Sequence, residues 1–535
     1  MNYVSTIDDS AQSDSASKEA GPMNGAQSLV QTLINGGVEI CFANPGTSEM
    51  HFVGALDQNP GMRAVLGLFE GVVTGAADGY ARMAGKPAAT LLHLGPGLGN
   101  GLANLHNARK AASPVVNIIG DHATVHQPYD APLTSDVVAF AQPVSHWVHC
   151  SRNARDVAAD AARAIQAAKA APGQIASLIL PADTAWNEAE RAYPALPVHG
   201  PAEVGALAIR QSVAALRGGR VTFLLRGDAL RGRGLAAAGR IAAATGARLV
   251  CDTFAPRIER GAGRPIVERL PYRPTPAIEF LRGTETLILV GTQAPVAFFA
   301  YPGLPSELTP PGCTPLVLAQ PHEDGASALE AVAEAIGATQ AMVAAKLRRP
   351  EAPLGDTVLT NEAIMRIVGQ FMPEETIISD ESLTAGFPFY RLLDEAPPCD
   401  YLQLSGGSIG NGIPMATGAA IACPDRQVLS LQGDGSAMYT VQALWTQARE
   451  RLNVVTVIYA NRAYAVLREE LASVGAVEGE KAFSLLELKN PSLDWVQLAN
   501  GMGVEAVRVD TCRGMAAAFQ AGMKATGPFL IEALV

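Results

Sequence analysis

QVLSLQGDGSAMYTVQALWTQARERLNVVTVIYANRAYAVL, residues 427–467, predicts a strand, a Gly-rich turn, a helix, a second strand and a second turn. Asp434 lies just past the first predicted strand, and Asn461 lies just past the second. Because the carboxyl ends of adjacent parallel strands meet at one edge of a sheet, we expect the two side chains to lie close together. The segment therefore predicts a βαβ unit with polar side chains at its carboxyl edge.

The polar groups of this segment suit a cation and a phosphate. Mg²⁺ prefers octahedral oxygen ligands and takes few of them from protein, leaving the others to water and to substrate phosphates. Gly433 and Gly435 allow close approach of the backbone, and the amides of Gly435 and Ser436 begin a helix that can receive phosphate oxygens. The tripeptide GDG alone also fits an ordinary strand-to-helix turn. The carboxylate, the amide oxygen and a nearby carbonyl of the complete segment fit the ligands that Mg²⁺ requires.

The same alternation of apolar runs, Gly-rich turns and Ala-rich helical segments continues along the chain from Leu29. It predicts an α/β protein in which each domain is a parallel sheet flanked by helices. Two Pro-rich breaks, residues 192–201 and 348–353, divide the pattern into three domains of similar size. The predicted domains cover residues 22–191, 202–345 and 355–535, and residues 1–21 are predicted to form a disordered tail.

Size, charge and cysteine content exclude several classes of protein. The 535 residues are too many for one hydrophobic core. The net charge of −11 argues against nucleic acid or an anionic membrane as a partner. No apolar run approaches the roughly 20 residues of a membrane span, and the amino terminus does not resemble a secretion signal. The seven cysteines have no paired spacing. We therefore expect reduced thiols and a cytoplasmic location.

Five segments, taken in order, resemble those of one enzyme group, the superfamily of acetolactate synthase, pyruvate decarboxylase and benzoylformate decarboxylase, which use thiamine diphosphate. The segments are NPGTSE (44–49), GLFEGVVTGAADGYAR (67–82), LLHLGPGLGNGLANL (91–105), GGSIGNGIPMATGAA (406–420) and residues 427–467. The resemblance implies a pyrimidine-binding domain, a central Rossmann-like domain and a diphosphate-binding domain, in that order. It also implies thiamine diphosphate and Mg²⁺ as cofactors, and an active site between subunits of a homodimer or homotetramer.

The resemblance assigns the metal ligands to the third domain. In the family, the Asp of GDG, a later Asn and a backbone carbonyl two residues beyond it bind the metal. This implies Asp434, Asn461 and Ala463 in the present chain. Family members commonly have Asn-Asn where this chain has Ala460-Asn461, and it is the second Asn that binds metal.

Three further residues of the third domain are assigned to the cofactor by the same resemblance. Ser382 and Thr384 of DESLTAG occupy positions that help to hold the diphosphate in relatives, and the alternative is that they are capping hydroxyls at a helix start. Ile409 of GGSIGNG occupies the position of the apolar residue that bends thiamine into its active shape. The alternative for Ile409 is an ordinary core residue.

Glu70 is the candidate for the carboxyl group that activates the cofactor. That group contacts the pyrimidine ring and must sit in an apolar pocket, where its proton stays labile near neutral pH. Glu70 follows an apolar run and opens a segment of small residues, and Gly79-Tyr80-Ala81-Arg82 completes a signature similar to the family's E…GYAR. Taken alone, a Glu at a helix start is more often a capping residue or a partner of the helix dipole.

Two first-domain residues resemble those of benzoylformate decarboxylase most closely. His93 stands where that enzyme has an active-site histidine, and Thr47 stands where it has a serine. A structural histidine held by loop carbonyls is the alternative for His93. A second catalytic histidine is expected from the middle domain, but VAFFAYP (296–302) contains none. His122 and His126 are open candidates for lining the pocket.

We therefore predict a thiamine diphosphate- and Mg²⁺-dependent decarboxylase or carboligase acting on a 2-oxo acid. The second hypothesis is the catalytic large subunit of acetolactate synthase. Its active-site Gln is missing from APLTSD (131–136), and its Trp is missing from NRAYAVLREELA (461–472). We do not expect FAD, because RGDALRGRG (226–234) is a poor substitute for the Gly-rich turns of an FAD site. A catalytically silent binding or regulatory paralogue is the third hypothesis, and the presence of Glu70, Asp434 and Asn461 argues against it.

Overall fold

Three large sheets, each covered by helices, organise the part of the chain that the computed structural model describes, residues 23–338 and 342–535. The α/β fold predicted from the sequence is confirmed. The tail predicted over residues 1–21 lies outside the described residues. No helix in the described part has both the length and the apolar character needed to span a bilayer.

The amino-terminal region forms a six-stranded parallel sheet in the order β3-β2-β4-β5-β7-β6, and β1 pairs with β8 in a separate antiparallel pair. Its strands are β1 (Met23–Asn24), β2 (Ile40–Asn44), β3 (Arg63–Leu66), β4 (Ala88–Leu92), β5 (Val115–Asp121), β6 (Trp147–Cys150), β7 (Ile175–Pro181) and β8 (Glu188–Ala189). Its helices are α1 (Gly25–Asn35), α2 (Met50–Asp57), α3 (Glu70–Ala84), α4 (Leu94–Ala111), α5 (Val137–Ala141), α6 (Val157–Lys169) and α7 (Ala182–Trp186). The inner strands are buried on both faces, as their continuous apolar runs require.

The middle region forms a five-stranded parallel sheet in the order β12-β10-β9-β13-β14. Its strands are β9 (Val221–Leu225), β10 (Arg248–Cys251), β11 (Arg257–Arg260), β12 (Glu268–Arg269), β13 (Thr286–Val290) and β14 (Thr314–Ala319). Its helices are α8 (Ala206–Gly218), α9 (Gly232–Thr245), α10 (Pro274–Leu281) and α11 (Gly325–Ala335). One strand of this region, β11, does not join the five-stranded sheet.

The carboxyl-terminal region forms a seven-stranded sheet in the order β11-β16-β15-β17-β18-β20-β19, in which only the edge strand β11 is antiparallel. Its strands are β15 (Thr376–Glu381), β16 (Cys399–Gln403), β17 (Val428–Gly433), β18 (Val454–Ala460), β19 (Glu505–Val509) and β20 (Phe529–Leu534). Its helices are α12 (Asn361–Phe371), α13 (Phe389–Leu392), α14 (Gly412–Ala422), α15 (Asp434–Ala437), α16 (Ala443–Glu450), α17 (Ala465–Ser473), α18 (Glu480–Leu486), α19 (Trp495–Gly501) and α20 (Cys512–Gly522). The middle region thus contributes one strand to the sheet of its neighbour.

Helices α3 and α14 join the first sheet to the third, and they pack with their backbones in close approach. A Cβ at Gly79 would overlap the carbonyl oxygen of Met415, and a Cβ at Gly418 would overlap that of Ala76. Only glycine fits at these two positions without a backbone shift. The Gly of the GYAR signature therefore has a packing role in this chain.

The Arg of the same signature connects all three regions. Arg82 is buried and donates to the carboxylate of Asp78, with 2.8 Å from Nε to Oδ1. Its Nη1 donates to the carbonyl of Gln403 at 2.7 Å and to that of Pro256 at 3.2 Å. Because the ion pair is buried, removing one partner would leave an uncompensated charge in the interior.

Candidate active site

A cavity of 1220 Å³ opens at the carboxyl ends of β15, β17 and β18. It lies where the strand order reverses between β15 and β17, which is the position at which open α/β sheets bind their ligands. All the third-domain residues assigned above to the metal and to the cofactor line it. They are Ser382, Thr384, Ile409, Gly433, Asp434, Gly435, Ser436, Asn461 and Ala463.

Asp434 and Asn461 lie together because β17 and β18 are adjacent and parallel, with Gly433 opposite Tyr459. Asp434 is the first residue of α15, and its Oδ2 accepts a hydrogen bond from the amide of Arg462 at 2.6 Å. Asn461 Oδ1 accepts from the amide of Ala463 at 2.9 Å. The backbone of the second turn thus fixes the orientation of both oxygen-bearing side chains.

The electrostatics of this corner suit a divalent cation. Burial raises the pKa of the Asp434 carboxyl to about 6, although the amides of Arg462 and Gly435 oppose that rise. A bound cation would offset the cost of burying this carboxylate. The described residues contain no group of three or more His, Cys, Asp or Glu side chains placed to hold a metal, so amide and carbonyl oxygens would complete the site. One carboxylate with neutral oxygens is a donor set that fits Mg²⁺.

Ala463 is positioned by a single antiparallel bridge to Glu487. The hydrogen bonds of this bridge run from the Leu488 amide to the Arg462 carbonyl and from the Tyr464 amide to the Leu486 carbonyl. The carbonyl of Ala463 takes no part in either bond. It is therefore available as the third oxygen of the corner that Asp434 and Asn461 form.

Ser382 and Thr384 lie in the turn after β15. Ser382 is buried, and its hydroxyl donates to Asp380 Oδ1 at 2.5 Å. It makes no capping hydrogen bond to the short 3₁₀ turn Leu383–Ala385 that follows, so the capping alternative for Ser382 is not observed.

Glu381, which the sequence patterns did not single out, holds the loop that carries Ile409. It is the last residue of β15, is buried, and accepts hydrogen bonds from the amides of Gly410, at 2.5 Å, and Gly412. Burial raises the pKa of its carboxyl to about 7, and the amide hydrogen bonds oppose that rise. Ile409 itself is only half-buried and lines the cavity, unlike an ordinary core residue.

Glu70, His93 and Thr47 form a second group, at the carboxyl edge of the six-stranded sheet. Glu70 is buried at the start of α3, and its Oε2 accepts from Asn100 Nδ2 at 3.0 Å. His93 lies between β4 and α4, with Nδ1 2.8 Å from Oε2 of Glu49. Thr47 is exposed at the start of a 3₁₀ turn. None of these three residues lines the cavity of the same chain.

His122 and His126, the two further candidates for lining the pocket, follow β5 and lie against each other. The ring centroids of His122 and His126 are 5.4 Å apart, and neither residue lines the cavity. Gln127, next to them, donates from Nε2 to Asp121 Oδ2 at 2.9 Å.

Aromatic side chains that the sequence did not predict line part of the same cavity. Phe298 packs 5.3 Å from Tyr272 and 5.7 Å from Phe254 between ring centroids, and Tyr272 stacks on Phe387 at 6.2 Å. Phe299 extends this aromatic group, packing 5.2 Å from Phe298. The sequence feature that could have predicted these aromatic residues is the Phe298-Phe299 pair in VAFFAYP, the segment in which the resemblance led us to expect a catalytic histidine. The middle region thus supplies apolar surface to the site.

Profiles of two related families match the chain. The profile described as "Thiamine pyrophosphate enzyme, N-terminal TPP binding domain" matches residues 23–142. The profile described as "Thiamine pyrophosphate enzyme, C-terminal TPP binding domain" matches residues 389–533. The first match contains Glu70 and His93, and the second contains Asp434 and Asn461.

Relatives with known names cover nearly the whole chain. IlvX of Mycobacterium tuberculosis, named for an acetolactate synthase large subunit, is 53% identical over 519 residues, which are 96% of this chain and 99% of IlvX. Benzoylformate decarboxylase of Pseudomonas aeruginosa is 31% identical over 528 residues, covering 93% of this chain and 96% of that enzyme. The structure of a thiamine diphosphate-dependent 4-hydroxybenzoylformate decarboxylase of Rhodococcus jostii superimposes with a TM-score of 0.84 at 26% identity, covering 95% and 98% of the two chains.

Proposed function

This chain belongs to the thiamine pyrophosphate enzyme family, and we propose that it decarboxylates a 2-oxo acid with the help of Mg²⁺. It is a thiamine diphosphate-dependent enzyme related to benzoylformate decarboxylase and to acetolactate synthase-like proteins. The observation that carries the proposal is the shared cavity. It combines the oxygen-rich corner of Asp434 and Asn461 with the aromatic side chains of Phe254, Tyr272 and Phe298.

When bound, thiamine diphosphate supplies the electron sink for the negative charge that remains after CO₂ leaves. Asp434, Asn461 and the Ala463 carbonyl would hold Mg²⁺, whose charge would offset that of the diphosphate. Ser382, Thr384, Gly433, Gly435 and Ser436 are assigned to the diphosphate, and Ile409 to the apolar support of the thiamine rings. This assignment agrees with the burial of Asp434, whose carboxylate gains most from a nearby cation.

Glu70 and His93 are assigned to proton movement. The Glu70 carboxyl is held by Asn100 and shielded from water, which suits a group that exchanges a proton with the pyrimidine ring. His93 presents a partly exposed ring at the end of β4, which suits contact with the substrate carbonyl. Thr47, in the neighbouring turn, is assigned to the same pocket.

The absence of Glu70, His93 and Thr47 from the cavity lining of their own chain supports an assembly of at least two chains. Residues 22–191 would provide Glu70 and His93 from one subunit, and residues 355–535 would provide Asp434 and Asn461 from another. Residues 202–345 form the domain that lies between these two in the sequence. A homodimer satisfies this requirement, and a homotetramer contains the same pair. Interfaces of this kind are isologous, so each pair of chains would form two equivalent sites.

An aromatic 2-oxo acid is the first candidate substrate. The ring cluster of Phe254, Tyr272 and Phe298 offers edges and faces to an aromatic side chain, and such contacts add to the effect of area burial. Two relatives are named for benzoylformate and for 4-hydroxybenzoylformate, which agrees with this choice.

Ligation of a second 2-oxo acid is the second candidate function. The cavity volume of 1220 Å³ exceeds the approximately 300–1,000 Å³ of most ligand pockets, and this cavity would hold the cofactor as well as the reactants. The name of IlvX agrees with this alternative.

Purified full-length protein, incubated with thiamine diphosphate and Mg²⁺, distinguishes the two candidates. CO₂ release and product identity are measured with benzoylformate, pyruvate and 2-oxobutyrate as separate substrates. Release of CO₂ and benzaldehyde from benzoylformate supports decarboxylation, and an acetohydroxy acid from pyruvate supports ligation. Absence of CO₂ from all three acids, with cofactor bound, would contradict both.

A further inference from the structure

A buried glutamate holds the ring of His93 through one of its two nitrogens. Glu49 ends the 3₁₀ turn Thr47–Glu49, and its side chain is 1% exposed. Its Oε2 lies 2.8 Å from His93 Nδ1 and accepts from the amide of Gly46 at 2.7 Å. Its Oε1 accepts from the hydroxyl of Ser48 at 2.5 Å. Backbone and hydroxyl donors thus surround the carboxyl group together with the imidazole.

The three strands at the centre of the first sheet build this contact. β2 leads into the turn that carries Glu49, β4 ends one residue before His93, and β5 lies beside β4. A Cβ at Gly120, in β5, would overlap Glu49 Oε1, and a Cβ at Gly46 would overlap the ring of His93. The backbone therefore leaves room for the glutamate and the imidazole in this arrangement.

The chemistry of the contact determines which ring nitrogen carries the proton. An ionised carboxylate only accepts hydrogen bonds, and the Gly46 amide and the Ser48 hydroxyl both donate to Glu49. His93 Nδ1 must then be the protonated nitrogen of the neutral ring, which leaves the lone pair on Nε2. No hydrogen-bond partner of Nε2 occurs among residues 23–338 and 342–535, and the His93 side chain is 21% exposed. The partner of one ring nitrogen sets the role of the other.

We propose that Glu49 is a positioning residue that fixes the Nδ1–H tautomer and the orientation of His93. His93 then offers a basic Nε2 to the substrate side of the pocket, where it accepts and returns a proton. The inference rests on the proposed function, because it assigns to His93 a role in substrate turnover.

Glu49→Gln in the holoenzyme tests the inference. The amide NH₂ of Gln can donate to Nδ1, which stabilises the opposite tautomer without a change in side-chain length. We expect ¹⁵N NMR of histidine-labelled protein, assigned with His93→Ala, to show a protonated Nδ1 in the wild type and loss of that preference in the variant. We also expect kcat/KM to fall about 10²-fold while the affinity for thiamine diphosphate is retained. Glu49→Asp retains a carboxylate and should keep the tautomer and part of the rate.

Two further variants separate the possible outcomes. Glu39→Gln is the matched control, since Glu39 lies in the same region and is about half exposed. The double variant Glu49→Gln with His93→Ala should be no slower than His93→Ala alone. Glu49 acts only through His93, so its substitution has no further effect once the imidazole is removed. Wild-type tautomer and rate in Glu49→Gln, or a double variant with multiplied losses, would overturn the inference. If the wild type turned over no 2-oxo acid, the proposed function would fail, while the tautomer measurement would still decide the role of Glu49.

Discussion

Asp434 is the only charged side chain among the three proposed metal ligands, so the affinity for the cation depends most on this residue. Asp434→Asn keeps the shape and one neutral oxygen but removes the charge that binds Mg²⁺. We expect calorimetry with Mg²⁺ present to detect no saturable binding of thiamine diphosphate by this variant. Asp356→Asn, at a side chain that is 68% exposed, is the control. Unchanged cofactor affinity in Asp434→Asn would exclude this metal site.

A substitution at Glu70 is expected to separate cofactor binding from turnover. Its carboxyl contacts Asn100 in the first region, whereas the proposed metal ligands lie in the third region, so Glu70→Gln should bind thiamine diphosphate normally. An amide does not exchange protons as a carboxyl group does, and we expect kcat to fall by about 10²–10⁴-fold. Steady-state kinetics at saturating cofactor measure this loss, with the exposed Glu188→Gln as the control. A kcat equal to that of the wild type would contradict the assignment.

Glu381 links the pH to the stability of the Ile409 loop. The pKa of its carboxyl rises from 4.5 to about 7 on folding, so the folded protein binds this proton more tightly than the unfolded chain. The stabilisation is complete below about pH 4.5 and is lost as the pH rises through about 7. Relative to Glu381→Gln, the wild type should lose up to about 3 kcal/mol of unfolding free energy over this interval. Melting temperatures of the two cofactor-free proteins across this range test the sign. A difference that is constant or grows with pH would contradict it.

At the scale of secondary-structure elements, the contact between α3 and α14 depends on the absence of side chains. Gly79→Ala would push a methyl group into the carbonyl of Met415, and we expect it to cost about 1–3 kcal/mol or more of stability. Gly54→Ala in α2 is the matched control, because nothing lies within 4 Å of its Cβ position. Helix propensity predicts that Gly54→Ala is neutral or stabilising by up to about 1 kcal/mol. Equal melting temperatures of the two variants would rule out close packing at Gly79.

Secondary-structure elements that are defined by a local sequence pattern were predictable from the sequence. Strands β17 and β18 lie within residues 427–467 as predicted, since apolar runs between turn residues define both ends. Asp434 and Asn461 were predictable as neighbours because β17 and β18 are connected by one short crossover. Strand β11 was not predicted, because its partner β16 lies far along the chain and its four residues carry no distinct pattern.

The same distinction explains which site residues were missed. Glu49 was quoted within NPGTSE, but its contact with His93 depends on the pairing of β2 with β4. Phe298 and Phe254 reach the cavity only through the packing of the middle region against the third. No local pattern reports such long-range contacts.

At the scale of the whole molecule, the assembly can be tested by mixing two inactive variants. If each active site combines Glu70 of one chain with Asp434 of another, half of the sites in a mixed dimer are free of both substitutions. Co-refolded Glu70→Gln and Asp434→Asn chains should then regain about a quarter of the wild-type activity, because half of the dimers are mixed. Activity that stays at the level of the separate variants after subunit exchange would indicate a site within one chain.

The placement of the two proposed groups of site residues on different sheets also has a thermodynamic consequence. The packing of α3 on α14 lies within one chain, so each chain keeps its own core, while the proposed site exists only in pairs. A cofactor that contacts both chains binds the assembled form in preference to the separated one. By mass action, a higher concentration of either thiamine diphosphate or protein then favours the assembled, cofactor-bound form. Dilution of the protein weakens cofactor binding, and a higher cofactor concentration restores the paired chains. Vitamin supply would thus set how much enzyme is assembled as well as how much is loaded.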